Sequence, residues 1–198
     1  MNGDLYITGD PEADGLLNHD GTALLIGMQL DQQVPMEWAF MGPRTLRQRL
    51  GVLDPMPIAA MDEDEFVAVC CAKPAIHRFP AVMGRRIHGM CVAIADRYEG
   101  RPEQLWSDAA SGADLFDRLR QLPGYGDEKA QIFVALLAKR FNVRPRGWNA
   151  AAGVFADGEP RTIADCHDQE SLNQVRQWKR AQREAKQDKQ GRPLTNDG

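Results

Sequence analysis

The chain has 198 residues, 43% of them hydrophobic and 26% charged, with a formal net charge of −4 at pH 7. That length can bury a core as one domain or as two small lobes sharing a groove, and the composition excludes a fibrous or disordered chain. Charged residues or glycines interrupt every apolar run well before membrane-spanning length, so no membrane partner is expected.

Residues 1–20 read as an acidic N-terminal segment, with Asp4, Asp10, Glu12, Asp14 and Asp20 and no Lys or Arg. This is the opposite of a signal or transit peptide, and a cytoplasmic location is the expectation. A helical domain is expected over 21–184. Residues 22–33 read as a buried helix, capped by Thr22 or Asp20 and ended before Pro35. Pro43 suits the first turn of a helix that runs from Arg44 to Leu50 and stops at Gly51. Asp62 to Cys71 opens with acids that suit the helix dipole and then turns apolar. Arg85 to Tyr98 carries Ile87, Met90, Cys91, Ile94 and Ala95 at helical spacing, and Gly100-Arg101-Pro102 breaks it. Asp114 to Gln121 places Leu115, Phe116 and Leu119 on one face. Leu172, Val175 and Trp178 mark a core-facing stripe near the C-terminus. With no strand pattern and no internal repeat, the predicted class is all-α. Residues 185–198, rich in Lys, Gln and Gly, read as a flexible polar tail.

Four cysteines (Cys70, Cys71, Cys91 and Cys166) match neither zinc-ligand spacing nor a closely spaced four-cysteine cluster loop. Reduced thiols are predicted, with no metal site, no iron–sulfur cluster and no other cofactor. His77 and His88 read as polar residues near turns or helix surfaces. The bases gather in two stretches. Arg118, Arg120, Lys129, Lys139, Arg140, Arg144 and Arg146 outnumber Asp127 and Glu128. Downstream, Gln174–Arg192 is similarly basic, as a solvated helix face also would be.

Inside the first stretch stands Leu122-Pro123-Gly124-Tyr125-Gly126-Asp127-Glu128-Lys129-Ala130. Pro123 and two glycines impose a tight turn, and both glycines are read as open to positive φ and to close approach by another chain. A turn at a helix N-terminus offers unpaired N–H groups to an anion such as a phosphate. An ordinary helix–turn–helix corner with a Gly cap is the plainer reading of the same nine residues.

This hairpin, together with Leu30-Asp31-Gln32-Gln33-Val34 upstream, resembles the HhH-GPD superfamily of base-excision DNA glycosylases, which includes endonuclease III, adenine glycosylase and the 3-methyladenine glycosylases. Order and spacing agree over residues 20–142, and the likeness is nearest to a compact branch without an iron–sulfur cluster. The resemblance implies a two-lobed helical fold with a helix-hairpin-helix motif, binding double-stranded DNA as a monomer and excising a damaged base as a hydrolase. It assigns Leu122, Pro123, Gly124, Tyr125, Gly126 and Lys129 to DNA binding, with a monovalent cation on the carbonyls of 122–126. Gln32 and Gln33 become the wedge that fills the gap left by an extruded base; a polar helix end is the plain alternative. Tyr125 would pack on a sugar or make a simple apolar contact at the tip.

The catalytic part of the resemblance departs from the family. The loop that holds the essential aspartate there reads Asn142-Val143-Arg144-Pro145-Arg146-Gly147-Trp148-Asn149 here, without an acid. The position of the nucleophilic lysine of bifunctional members is Glu128, and Lys129 stands one residue on, a rotation of about 100° on a helix. Lys129 and Asp165 are the catalytic candidates, with Glu128 and Asp31 as other sources of a carboxylate. A phosphate contact for Lys129 and a cap or turn role for Asp165 stand beside those roles. Trp38, Trp148 and Trp178 could stack on a base or serve the core, and Trp148, beside Gly147, is the pocket candidate. The competing function is a DNA-binding helix-hairpin-helix module that has lost its catalytic aspartate, and a helical scaffold with no nucleic-acid role is a third.

Overall fold

The computed structural model describes residues 1–193 and is all-α. Eleven α-helices and two short 3-10 turns make up the described residues, which contain no strand beyond an isolated bridge between Gln187 and Pro193. No helix among them is long and apolar enough to cross a membrane. The helices are α1 (Pro11–His19), α2 (Gly21–Leu30), α3 (Met36–Leu50), α4 (Pro55–Ala60), α5 (Glu63–Cys71), α6 (Pro80–Tyr98), α7 (Gln104–Ser107), α8 (Gly112–Arg120), α9 (Asp127–Arg140), α10 (Trp148–Ala152) and α11 (Gln169–Glu184). One group packs α2 on α3 and α5 with α4 on α6; the other gathers α8, α10 and the 3-10 turns around α9.

Two helices are apolar on all sides and therefore central. Every residue of α2 is buried, and α9 is buried continuously from Ile132 to Ala138. Helix α2 lies unusually close to α3 because two glycines remove the side chains between them. A Cβ at Gly27 would come within 2.6 Å of the Phe40 ring, and one at Gly42 would collide with Leu30. That crossing explains a departure from the expected boundaries. Helix α3 starts at Met36 and carries Pro43 in its interior rather than at its first turn. An interior proline costs a helix roughly 3 kcal/mol, and the burial of Met36, Ala39, Phe40 and Leu46 on one stripe offsets it. Helix α2 ends one turn earlier than expected. Asp31 leaves the helical region (φ −73°, ψ 64°), Gln33 takes a left-handed φ of 55°, and Pro35 follows.

The acidic N-terminal segment is part of the fold. Its acids mark helix ends and anchors rather than a solvated tail. Asp10 caps α1, Asp20 ends α1 and caps α2, and Glu12 pairs with Arg44 and Arg47. Asp14, 7% exposed, accepts from the backbone N–H groups of Ile7, Thr8 and Gly9 and from the Thr8 hydroxyl. Those bonds hold Ile7 in the core, and Asn18, which accepts from Leu5 N–H and donates to Leu5 O, holds Leu5 there. The backbone before α1 then joins the second group of helices, through Asp4 N–H to Arg140 O and Tyr6 N–H to Cys166 O.

At the other end, Asp188 closes a turn by accepting from the amides of Gln190 and Arg192. Lys189 from that turn reaches Glu128 at 3.5 Å. The remainder of the expected tail, 194–198, lies outside the described residues. Cys70, Cys91 and Cys166 are buried free thiols and Cys71 is half-buried. Burial pushes Cys70 and Cys166 up to about 12.

Removing the Asp14 carboxylate strands three backbone donors and a hydroxyl in a nearly dry position. Asp14→Ala is expected to lower unfolding stability by about 2–4 kcal/mol in urea titrations. A change under 0.5 kcal/mol, the usual effect of a surface substitution, would place residues 1–10 outside the cooperative unit.

Candidate nucleic-acid interface

Helix α8, capped by Ser111 and apolar at Leu115 and Leu119, delivers the chain into the hairpin. Leu122 N–H donates to Leu119 O and Tyr125 N–H to Leu122 O, both at 3.0 Å, which closes the turn. Gly124 has φ 81° and lies directly against the side-chain amide of Gln29, where a Cβ would overlap it. Gly126 differs from the expectation of positive φ. It is the N-cap of α9 at φ −91°, with open space where a Cβ would stand. No side chain caps α9, so its first amides face outward without a side-chain acceptor.

Leu122 and Tyr125 do not reach outward as DNA contacts. Both are core residues, 2% and 5% exposed. The Tyr125 hydroxyl donates to Leu25 O at 2.8 Å, and its ring meets Phe133 edge-on. Burial raises its phenol well above the usual value. The hairpin is thus pinned to α2, and Pro123, Gly124 and Gly126 form its exposed tip. Leu122 O and Gly126 O accept amides of the chain, whereas the carbonyls of Pro123, Gly124 and Tyr125 accept none among the described residues.

The charge around the hairpin is arranged differently from the sequence expectation. Asp127 and Glu128 occupy the first turn of α9, where they oppose an incoming anion. The bases of the 118–146 stretch are largely engaged within the protein. Arg118 pairs with Asp114, Arg120 with Asp127, Lys139 with Asp165 and Arg140 with Asp4. Arg144 is turned onto Ala138 O, and Arg146 makes no side-chain hydrogen bond among the described residues. A second basic surface was missed. From Phe66 to Ala95 there is no acid, while Lys73, Arg78, Arg85 and Arg86 fall in that span. Of these, only Arg85 has an ion pair among the described residues, a 3.7 Å contact with Glu63. The missing acids were the available signal. This surface adjoins the hairpin, because Gly89 of α6 packs against Pro123.

The corner after α2 meets the hairpin from the other side. Gln32 is held twice. Its carbonyl accepts from His77 Nε2–H at 2.9 Å, and its side-chain oxygen accepts from Arg86 at 2.9 Å. Phe79 N–H donates to His77 Nδ1, which fixes that imidazole as the neutral Nε2–H tautomer. His77 and His88 are buried rather than superficial, at 1% and 9% exposure. Gln33 is exposed, with no side-chain partner among the described residues, and sits in the left-handed region that bulky side chains rarely adopt. Of the two glutamines, Gln33 is the one free to move and Gln32 the one locked in place.

Lys129 points from the first turn of α9 to the end of α2. Its Nζ donates to Gln29 O at 3.2 Å and to Gln29 Oε1 at 3.3 Å, and lies 5.3 Å from the centre of the Tyr125 ring. Burial draws this amine down to about 7; Asp31 pulls the other way, and Arg86 and Lys189 reinforce the depression. Gln29 escaped notice in the sequence. It is fully buried, and its Nε2 has no partner among the described residues. Asp31, Gln33, Glu128, Trp178, Lys179 and Lys189 are among the residues lining an adjacent groove of ≈780 Å³ between this corner and α11. Burial also lowers Lys179.

Asp165 and Lys129 are not brought together. Asp165 sits in a 3-10 turn, where its carboxylate accepts from the amides of Arg161 and Thr162 and pairs with Lys139 at 2.6 Å. Lys139 and Asp165 are 14% and 11% exposed, and all of these contacts are internal. Trp148 opens α10 and packs its backbone against Gly112 of α8, away from the groove. Trp178 lines the groove instead, half-buried, with the Arg161 guanidinium 5.2 Å above its ring.

No protein-family model and no curated protein matches this chain. Among solved structures, it is similar to a trapped endonuclease III–DNA covalent intermediate, an estranged-adenine complex. That likeness covers 71% of this chain and 78% of the other, at 16% identity and a TM-score of 0.43.

Two outcomes follow from the amine and the carboxylate. The unfolded chain keeps the Lys129 proton up to its ordinary value of 10.5, while the folded chain releases it near 7. Stability therefore rises as pH increases from 7 to 10.5, and this slope disappears in Lys129→Met; pH-resolved urea unfolding reads the difference. Asp165→Asn leaves Lys139 buried without its partner and is expected to cost roughly 3 kcal/mol. A folded Asp165→Asn protein retaining full stability would point away from a structural carboxylate.

Proposed function

We propose that this protein binds double-stranded DNA across the Pro123–Gly126 tip and the α6 surface, extrudes a damaged base into the groove beside α2, and cleaves its N-glycosidic bond. In this reading the protein is a DNA glycosylase of the HhH-GPD type. The observation that carries it is Lys129, an amine with a pKa near 7 held where the hairpin, the α2 corner and Asp31 converge. At neutral pH a large fraction of such an amine is unprotonated and nucleophilic, whereas an exposed lysine is almost wholly charged.

The chemistry suits those groups. The amine nitrogen forms a bond to C1′ of the extruded nucleotide. The C1′–N bond to the base breaks, and its electron pair leaves with the base, which is then protonated. The attacking nitrogen loses a proton and the adduct opens to an imine. Asp31, close enough to act on the Lys129 charge, stabilises positive charge at the sugar. Outward amides at the start of α9, with Lys73, Arg78 and Arg86, supply the phosphate contacts that offset unstacking. A monovalent cation would be held by the carbonyls of Pro123, Gly124 and Tyr125 and would add positive charge beside the phosphate. Gln33, free at the corner, is the wedge, and Gln32 is its fixed support.

One observation favours the second reading, a DNA-binding module without catalysis. The Lys129 amine is already engaged with Gln29, and the loop at 142–149 offers no carboxylate. Borohydride trapping on duplexes that each carry one modified base separates the two. The glycosylase reading expects a covalent adduct and lesion-dependent nicking, both lost by more than 100-fold in Lys129→Ala, with duplex affinity nearly unchanged. Duplex binding that is salt-sensitive but never trapped supports the module. Gly126→Ala, which meets no atom within 4 Å, tests the hairpin without disturbing the fold. It is expected to weaken duplex binding and leave thermal stability unaltered.

A further inference from the structure

Three aromatic rings stand in a row on the far side of the α2 corner. Trp38, at the start of α3, stacks on His77 with centroids 6.3 Å apart and planes at 28°. Phe79 is 6.1 Å from the same imidazole, with the ring planes tilted at 47°. The imidazole is buried, yet Trp38 and Phe79 are 41% and 43% exposed, two of the few large hydrophobic side chains that the fold leaves in solvent. Rings of this size bring most to a structure when covered, so their exposure calls for an occupant.

The charge around the row identifies that occupant. The Arg78 guanidinium sits 5.2 Å over the Phe79 ring, and Lys73 and Arg86 stand in the same acid-free span, with no ion pair among the described residues. Two acids near the row are paired within the protein: Glu37, beside Trp38, with Arg176, and Glu63 with Arg85, while Asp31, Asp64 and Glu65 have no ion pair among the described residues. The row is also continuous with the corner, since His77 holds the Gln32 carbonyl and Arg86 holds the Gln32 side chain. Exposed aromatic faces along a basic track are what unpaired bases need: every base has a face to stack, and the cations follow the backbone.

We infer that Trp38 and Phe79 form a stacking platform for unpaired bases of a single DNA strand that leaves the duplex at the Gln32–Gln33 corner. The inference rests on the DNA-binding reading above. It assigns the protein a preference for duplexes with a single-stranded overhang or bubble over fully paired ones.

The test measures fluorescence anisotropy with the full chain on two labelled DNAs, one fully paired and one with a short thymidine overhang. Wild-type protein is expected to bind the overhang DNA more tightly. Trp38→Ala and Phe79→Ala should each lose roughly 5- to 150-fold on that DNA only. Trp38→Phe keeps a stackable ring and should restore most of the preference. Equal wild-type affinity for the two DNAs overturns the platform, as does an equal loss on both DNAs in Trp38→Ala. So does a self-association, seen by sedimentation, that disappears in the same variant while the overhang preference remains. Gly126→Ala keeps the two readings apart. Its failure to weaken the fully paired duplex counts against the hairpin reading alone, and a persisting overhang preference then still supports the platform.

Discussion

The contact between Gly124 and Gln29 organises this molecule, because the hairpin, the buried amine and the end of α2 all meet there. A tight turn usually stands clear of the core, held only by its own hydrogen bonds. Here Tyr125 drives its hydroxyl onto Leu25 O, and the missing Cβ of Gly124 lets the backbone settle on the Gln29 amide. The turn is thereby fixed relative to α2 to within the slack of packed atoms. With the Gln29 side chain packed against Gly124, Lys129 finds two acceptors at the end of α2, Gln29 O and Oε1, and loses most of its water. The depressed amine is thus a product of how the hairpin docks, and not of a local sequence motif.

Charge in this protein is spent mostly on the fold. Acids of the N-terminal segment cap helices or anchor loops, and most bases of the 118–146 stretch, Arg146 apart, pair with acids or carbonyls of the same chain. Neither run is the electrostatic signature that its composition suggests. Positive charge without an ion pair among the described residues includes Lys73, Arg78 and Arg86, on the loop before α6 and on its first turns, spread among apolar residues. A net charge of −4 is then compatible with one basic face, since sums over a sequence do not describe the field at a surface.

Local periodicity made much of the architecture legible. Asp62 announced a helix close to where it occurs, and Leu115 and Leu119 led correctly into the hairpin turn. What remained hidden depended on residues far apart in the chain. Pro43 looks like a helix start, and only the approach of Gly42 to Leu30 and of Gly27 to Phe40 makes an interior proline tolerable. Gln29 looks like any polar residue in an apolar run, and its partner Lys129 is 100 residues away. Tyr125 between two glycines looks like an exposed tip until α2 is placed above it. Asp165 looked free to enter a groove, because its pairing with Lys139 spans a turn whose shape the sequence does not display. Trp178 sits on the apolar stripe of its helix, yet that stripe runs past the core and onto the groove wall.

The backbone bonds before α1 have a consequence for how the chain is made. Asp4 N–H waits for Arg140 O and Tyr6 N–H for Cys166 O, so these residues find their partners only after α9 and the turn at Cys166 have been made. Helices α2 to α6 can collapse locally as they leave the ribosome, but the N-terminal segment must stay unpaired until α9 and the turn at Cys166 arrive. Closing so large a loop carries an entropic penalty that local helix packing does not. The groove is bounded by α11 and by the corner after α2, which are made far apart in time. Its walls come from distant parts of the polypeptide, and a chain that stops before α11 keeps the hairpin while lacking the cavity.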